Sequence, residues 1–241
     1  MRNALTSLLL FVSVLCIGQV TRAYPFQTTP PVAGGLLSQY LFENNYTDEE
    51  GNYNGSAEGS VTFTTTDPGE GTYSVYLNGG DEGVNLGSMN FGSSGFSISL
   101  LYKVDFTIAD DIRVLICNRA SAINNDGFVL WGSTYDANDG KVLIYCGNGA
   151  TQDFASTSAG ALTDDVWNHI VITWDTSEWA IYVAGSDVTT DATTITDFAT
   201  SGNVTMIGNY NGLNYGSDMT IDDVRVWTRV LTPTEVANIY P

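Results

Sequence analysis

The residues able to do chemistry are few and scattered. His169 is the single histidine of the 241-residue chain. It could serve as a general base, but no nucleophile stands beside it in sequence. One histidine with two cysteines expected to be oxidised, Cys117 and Cys146, cannot make a zinc centre. A glycosidase needs two carboxyl groups facing each other across the scissile bond, one of them as general acid. The apolar runs Phe96 to Val104, Ile112 to Cys117, Phe128 to Trp131 and Val142 to Cys146 contain neither Asp nor Glu. Asp175 and Glu178, after Trp174, come nearest to a dyad. A solvated turn explains them more simply, so the sequence predicts no catalysis.

Binding chemistry is better represented. Sugars stack on aromatic rings while short polar groups bond their hydroxyls. Tyr53, Tyr135, Tyr210 and Tyr215 fall in loop-like text, and Asn209, Tyr210, Asn211, Asn214 and Tyr215 share one Asn/Tyr/Gly-rich stretch. Such a composition suits adaptable recognition, and it equally suits a loop that only connects. Trp131, Trp167, Trp174, Trp179 and Trp227 lie in or beside strand-like runs and read as core. Asn125-Asp126 with Asp136, Asn138 and Asp139 are a candidate rim of cation-binding oxygens between successive strands. Asp139-Gly140 alone reads as a hairpin turn.

Charge narrows the partners. The chain has 8 Lys+Arg against 27 Asp+Glu, a formal charge of −19, with 43% hydrophobic residues. That apolar fraction can build a core. The acidity argues against nucleic acid and anionic membranes, both of which need basic patches. Cations are the natural counterpart.

Residues 1–23 read as a secretory signal peptide. Arg2 is the basic start, Leu8 to Ile17 the short apolar core, and Thr21-Arg22-Ala23 the cleavage signature. The apolar stretch is too short for a membrane anchor, so a secreted, extracellular protein without membrane insertion is expected. Cleavage removes Cys16 and leaves Cys117 and Cys146 in an oxidising compartment, where a disulfide is the default. If both lie on strands flanking Phe128–Trp131, their Cα atoms would sit about 10 Å apart, beyond bridging distance. A bridge then needs a curled strand end or another strand order. Asn45, Asn54 and Asn203 head N-x-Ser/Thr sequons.

The elements that must position these groups are short strands. Residues 24–35 are a Pro/Thr-rich linker, and residues 36–241 read as one domain. Phe96-Ser97-Ile98-Ser99-Leu100 and Val224-Arg225-Val226 alternate with period two. Tyr73 to Leu77, Ile112 to Cys117, Phe128 to Trp131, Val142 to Tyr145, Ile170 to Trp174 and Ala180 to Val183 are rich in strand formers. Asn78-Gly79-Gly80, Asn125-Asp126-Gly127 and Asp139-Gly140 are turn signals. Thr232-Pro233-Thr234-Glu235 is a capping box with proline at the first helical position. Val236, Ile239 and Tyr240 follow on one helical face. The pattern predicts an all-β, two-sheet antiparallel jelly-roll sandwich with one short C-terminal helix.

Four motifs carry a resemblance. They are Tyr40-Leu41-Phe42-Glu43 with Asp48 to Gly55, Val75 to Val84, Trp167-Asn168-His169-Ile170-Val171-Ile172-Thr173-Trp174, and Ile221 to Val226 with Arg229 to Val236. In this order they resemble a laminin-G-like domain of the concanavalin A-like superfamily, which includes lectins, adhesion modules and glycoside hydrolases. The resemblance implies a jelly roll, a structural place for His169, and a structural calcium on Asp222 with Asp48 and Asn52. An Asx-turn is the alternative for Asp48. The hydrolases' Glu-x-Asp-x-Glu strand is absent. Ile207 to Gly212 also resembles the calcium loop of pentraxins, with Tyr210 and Gly212 where acidic ligands stand there. A secreted, non-catalytic binding module for a glycan or extracellular-matrix component is expected. An acidic matrix or mineral-binding protein is the alternative and a glycoside hydrolase the remote one.

Overall fold

A computed structural model describes residues 34–106, 113–119, 126–133, 139–192, 202–210 and 216–240. They form sixteen strands and one helix. In chain order the strands are β1 (Leu36–Tyr40), β2 (Ser56–Glu58), β3 (Thr62–Thr64), β4 (Ser74–Gly80), β5 (Gly83–Asn85), β6 (Phe96–Lys103), β7 (Val114–Cys117) and β8 (Gly127–Trp131). Then come β9 (Leu143–Gly147), β10 (Gln152–Thr157), β11 (Asn168–Trp174), β12 (Trp179–Val183), β13 (Ser186–Asp187), β14 (Thr189–Ala192), β15 (Met206–Ile207) and β16 (Gly216–Trp227). The helix α1 spans Pro233–Ile239.

Two antiparallel sheets face each other. The first runs β13-β12-β11-β6-β16-β4-β3, the second β14-β10-β9-β8-β7-β15-β5-β2. The long strand β16 has β6 on one side and, in succession, β4 and β1 on the other. Its ladder with β6 shifts between Asp222 and Arg225, and Asp223 takes a φ of 41° there. This bulge lies where β4 gives way to β1.

Strand alternation decides what faces what. Ile98, Leu100 and Tyr102 of β6 pair with Ile172, Ile170 and Asn168 of β11, and all three of these β6 side chains enter the main core. Phe128, Leu130, Ile144 and Cys146 enter it from the second sheet. Phe91, Phe96, Phe128, Trp174 and Trp179 form a knot of rings at one end, with Phe96 and Phe128 centroids 5.5 Å apart. Each buried phenyl contributes about 1.5–3 kcal/mol through its removal from water. Gly95 opens β6 with a φ of 95° because any Cβ there would collide with the Trp174 carbonyl.

The outer face of the first sheet is covered. Thr232 accepts from the Glu235 amide at 3.3 Å, and the Glu235 carboxylate accepts from the Thr232 amide at 2.8 Å, so the expected capping box forms. Arg229 grips the same carboxylate at 2.7 Å. Helix α1 lays Val236 and Ile239 onto Val171, Tyr182, Trp227 and Leu231. Among the described residues no helix is long and apolar enough to cross a membrane.

Candidate functional site

The second sheet presents an aromatic strip on its outer face. Phe128 and Leu130 point inward, so Val129 and Trp131 point outward. Ile144 and Cys146 point inward, so Tyr145 points outward. Register aligns Cys117, Val129, Tyr145 and Phe154 in one row across β7, β8, β9 and β10. Tyr145 lies edge-on to Trp131 at 5.4 Å and 6.1 Å from Phe154. All three rings are half-buried. Tyr210 packs against Val114, Cys117 and Val129 at the β7 side of the strip.

Polar groups flank the rings. Gln152 precedes Phe154 by two residues on the same face, and its Oε1 accepts from Arg119 Nη2 at 3.4 Å. The Trp131 indole N–H is buried without a hydrogen-bond partner and is not presented at the surface. Flat rings with a few donors at their edge can hold the apolar face of a sugar while bonding its hydroxyls.

Sequence reasoning assigned Trp131 to the core and passed over Tyr145 and Phe154. The signal was the alternation itself, since Trp131 cannot share a face with Phe128 and Leu130 on one strand. Of the residues expected to bind ligand, Tyr210 reaches the strip but is only 8% exposed. Asn209 is buried, and its Oδ1 accepts from the Tyr210 amide at 2.6 Å, so it is not open to a ligand. Asn211, Asn214 and Tyr215 lie outside the described residues, as do Tyr135, Asn125, Asp136 and Asn138.

The residues expected to hold calcium are engaged in the fold. Asp48 Oδ1 accepts from the amides of Gln39 and Glu50, and Oδ2 from those of Asn52 and Tyr53, at 2.9–3.1 Å. Four donors fill the sites a carboxylate offers, which is the Asx-turn alternative extended into a clasp. Asn52 donates its side-chain amide to the Leu37 carbonyl at 2.8 Å. Asp222 Oδ2 accepts from the Glu70 amide and the Ser74 hydroxyl, and Oδ1 from the Asp223 amide. Asp48 and Asp222 share no partner. Among the described residues no group of three or more His, Cys, Asp or Glu side chains is placed to hold a metal ion. Burial raises the Asp222 carboxyl to about 7 against its three donors.

His169 sits on the outer face of the first sheet. Its Nε2 lies 2.8 Å from Ser99 Oγ, both residues are buried, and Nδ1 meets no partner. Burial, helped by the Arg225 charge, lowers its pKa to about 3, so the ring is neutral. With no group to orient the ring and no access for substrate, this pair lacks the parts of a nucleophile relay. Asp175 Oδ1 accepts from Ser177 and the Glu178 amide inside the β11–β12 turn, which is the solvated turn read from sequence.

The expected disulfide is corrected. Cys117 and Cys146 are free and buried. Strand β8 separates them, and they point to opposite faces: Cys117 joins the outer cluster and Cys146 the core. Burial pushes both thiols up to about 12. Trp179 Nε1 donates to Cys146 Sγ at 3.3 Å. Of the sequon asparagines, Asn45 and Asn54 are exposed, while Asn203 is half-buried and donates to the Asp126 carbonyl at 3.1 Å.

Comparison with known proteins supplies a context for this geometry. Residues 78–237 match a family model described as the concanavalin A-like lectin/glucanases superfamily. No curated protein matches in sequence. Among solved structures, domain 4 of AbnA, a GH43 extracellular arabinanase from Geobacillus stearothermophilus in complex with arabinotriose, is similar at 18% identity and a TM-score of 0.66. That match covers 86% of this chain and 98% of that one. The binding domain of Paraclostridial Mosquitocidal Protein 1 matches at 17% identity and 0.66, covering 86% of this chain and 52% of that one. A structure of botulinum neurotoxin type C, whose cell entry depends on interaction with two ganglioside molecules, matches at 17% and 0.62, covering 86% and 50%. The chain thus spans about half of each toxin structure. At these identities the likeness shows the shared sandwich.

Proposed function

The chain belongs to the concanavalin A-like lectin/glucanase superfamily, and from that premise we propose that it is a secreted, non-catalytic module that binds carbohydrate on the outer face of its second sheet. The observation that carries this reading is the half-buried cluster of Trp131, Tyr145 and Phe154, in which Tyr145 and Phe154 pair directly, Trp131 lies diagonal to Tyr145, and Gln152 stands two residues before Phe154. Rings on adjacent strands stand rigidly at low conformational cost, which suits stacking against successive sugars. The arabinotriose complex and the ganglioside-dependent toxin support a saccharide as the ligand class. The leader-like residues 1–23 support an extracellular setting.

A glycan array followed by calorimetry on the best oligosaccharide tests the reading. Tyr145→Ala and Trp131→Ala should each weaken binding at least about tenfold, on the order of 1.4 kcal/mol, with the cooperative unfolding transition retained. Binding that ignores both substitutions, or an array without a single bound glycan, would refute it.

A further inference from the structure

The structure separates one of the three N-x-Ser/Thr sequons from the other two. Asn45 is exposed, and so is Thr47 two residues on. Asn45 Oδ1 accepts from the Thr47 amide at 2.8 Å, and its Nδ2 donates to the Glu43 carbonyl at 2.9 Å. This Asx-turn brings Thr47 beside the carboxamide, the relation an acceptor sequon needs of its hydroxyl-bearing residue. A primary carboxamide has two N–H groups, so one can be replaced while the other keeps Glu43. Asn203 is the opposite case. It is half-buried, its Nδ2 donates to the Asp126 carbonyl, and its own carbonyl accepts from Asn118 Nδ2. Thr205, which supplies the hydroxyl of that sequon, is fully buried, and its Oγ1 accepts from the same Asn118. Asn54 is exposed, but its Oδ1 turns back to the Asp48 amide at 3.0 Å while Ser56 is held in β2 opposite Asn85.

The Asn45 loop lies where both sheets end. Strand β3 is the last of the first sheet and β2 the last of the second. The Tyr46 ring packs on Phe63 of β3 at 4.8 Å. Gly55, next to β2, lies so near Tyr46 that a Cβ on it would come within 3.2 Å of the Tyr46 Cβ. Both end strands are three residues long, and β2 is exposed throughout. Among the described residues each pairs on one side only, and open edges of this kind invite pairing with another chain. We propose that Asn45 carries an N-linked glycan that shields this rim. The proposal rests on the extracellular reading, because the transfer belongs to the secretory compartment. In that step Nδ2 loses a proton and bonds to C1 of the first sugar. The bond from this carbon to the diphosphate of a lipid-linked oligosaccharide breaks, and the lipid diphosphate leaves with the electron pair. Strand β2 is five strand spacings from Tyr145 on β9, about 24 Å, so the attachment point stands clear of the aromatic strip.

The test expresses the full chain in a cultured mammalian cell and samples medium and cytosol. Intact mass before and after peptide-N-glycosidase in heavy-oxygen water counts the glycans and tags their sites. Cleavage after glutamate separates the Asn45 peptide from that of Asn54. One glycan on Asn45 and an unmodified Asn203 are expected. Asn45→Gln and Thr47→Ala should each remove it, the second without touching the bonds of Asn45 itself. The enzyme-treated chain should aggregate at least about threefold faster than the glycosylated one by light scattering. A secreted chain unmodified at Asn45, or one with a glycan on Asn54 or Asn203 in its place, overturns the proposal and leaves the extracellular reading standing. Equal aggregation with and without the glycan overturns the shield. A chain found only in the cytosol overturns the extracellular reading and the proposal with it. Should neither variant be secreted, the wild-type peptide map and the enzyme-treated chain decide.

Discussion

The outer faces of the two sheets begin alike and end differently. Both carry apolar side chains left over from strand alternation. On the first sheet, Val171, Tyr182 and Trp227 lie under Val236 and Ile239 of α1. On the second, Trp131, Tyr145 and Phe154 remain half-buried, and no described helix lies on them. The difference teaches that the strands do not decide which face is core. An amphipathic segment downstream covers one strip, and among the described residues no helix does the same for the other.

The strongest test of this contrast is Trp227→Ala beside Tyr145→Ala. Trp227 is 2% exposed under the helix, so its truncation should cost about 3–5 kcal/mol. Tyr145 is half-exposed and should cost about 1 kcal/mol or less. Urea unfolding measures both, and equal losses would erase the distinction between the faces.

Protonation sharpens it next, because the covered face also holds Asp222 and His169. Asp222 titrates near 7 in the fold against about 3.8 unfolded. Its favourable contribution is complete below the lower value and disappears as pH rises through 7. His169 titrates near 3 against 6.5. Its contribution is present above 6.5 and disappears as pH falls toward 3. Between about pH 4 and 6.5 the two slopes oppose, each on the order of 1.4 kcal/mol per pH unit. Wild-type stability should therefore vary little there, whereas Asp222→Asn should gain stability with rising pH. A variant as flat as wild type would remove the opposition.

The smallest effect concerns the thiols, one on each side of the second sheet. Reductant should leave the midpoint of thermal unfolding unchanged to about a degree, and the native chain should react with a thiol reagent only on unfolding. A clear fall in reductant would reinstate the bridge.

Much of this fold could be read from the residues. The period-two text of Phe96 to Leu100, the Trp-x-His strand and the Thr232 capping box all form where expected. Strands β2, β13 and β14 were missed because they are short, largely exposed and polar, and β3 because it is only three residues with one apolar side chain, Phe63. The site was less legible. Bulk placed Trp131 inside, although its parity with Phe128 placed it outside. Cysteine usage argued for a bridge that the intervening strand forbids. The Asn/Tyr/Gly composition pointed at a loop whose first residue, Asn209, turns inward.

The place of β16 has a consequence for how the chain is made. It is a central strand of the first sheet, yet it follows its partner β6 by more than a hundred residues. During synthesis β4 and β6 therefore emerge with their inner edges unpaired and must wait for β16 to join them. Until then the nascent protein exposes open ladders that invite wrong partners. The final closure is one long-range event, which makes folding slow and nearly all-or-none. A truncation that removed β16 would leave two half-sheets with no seam between them, a chaperone client rather than a smaller domain.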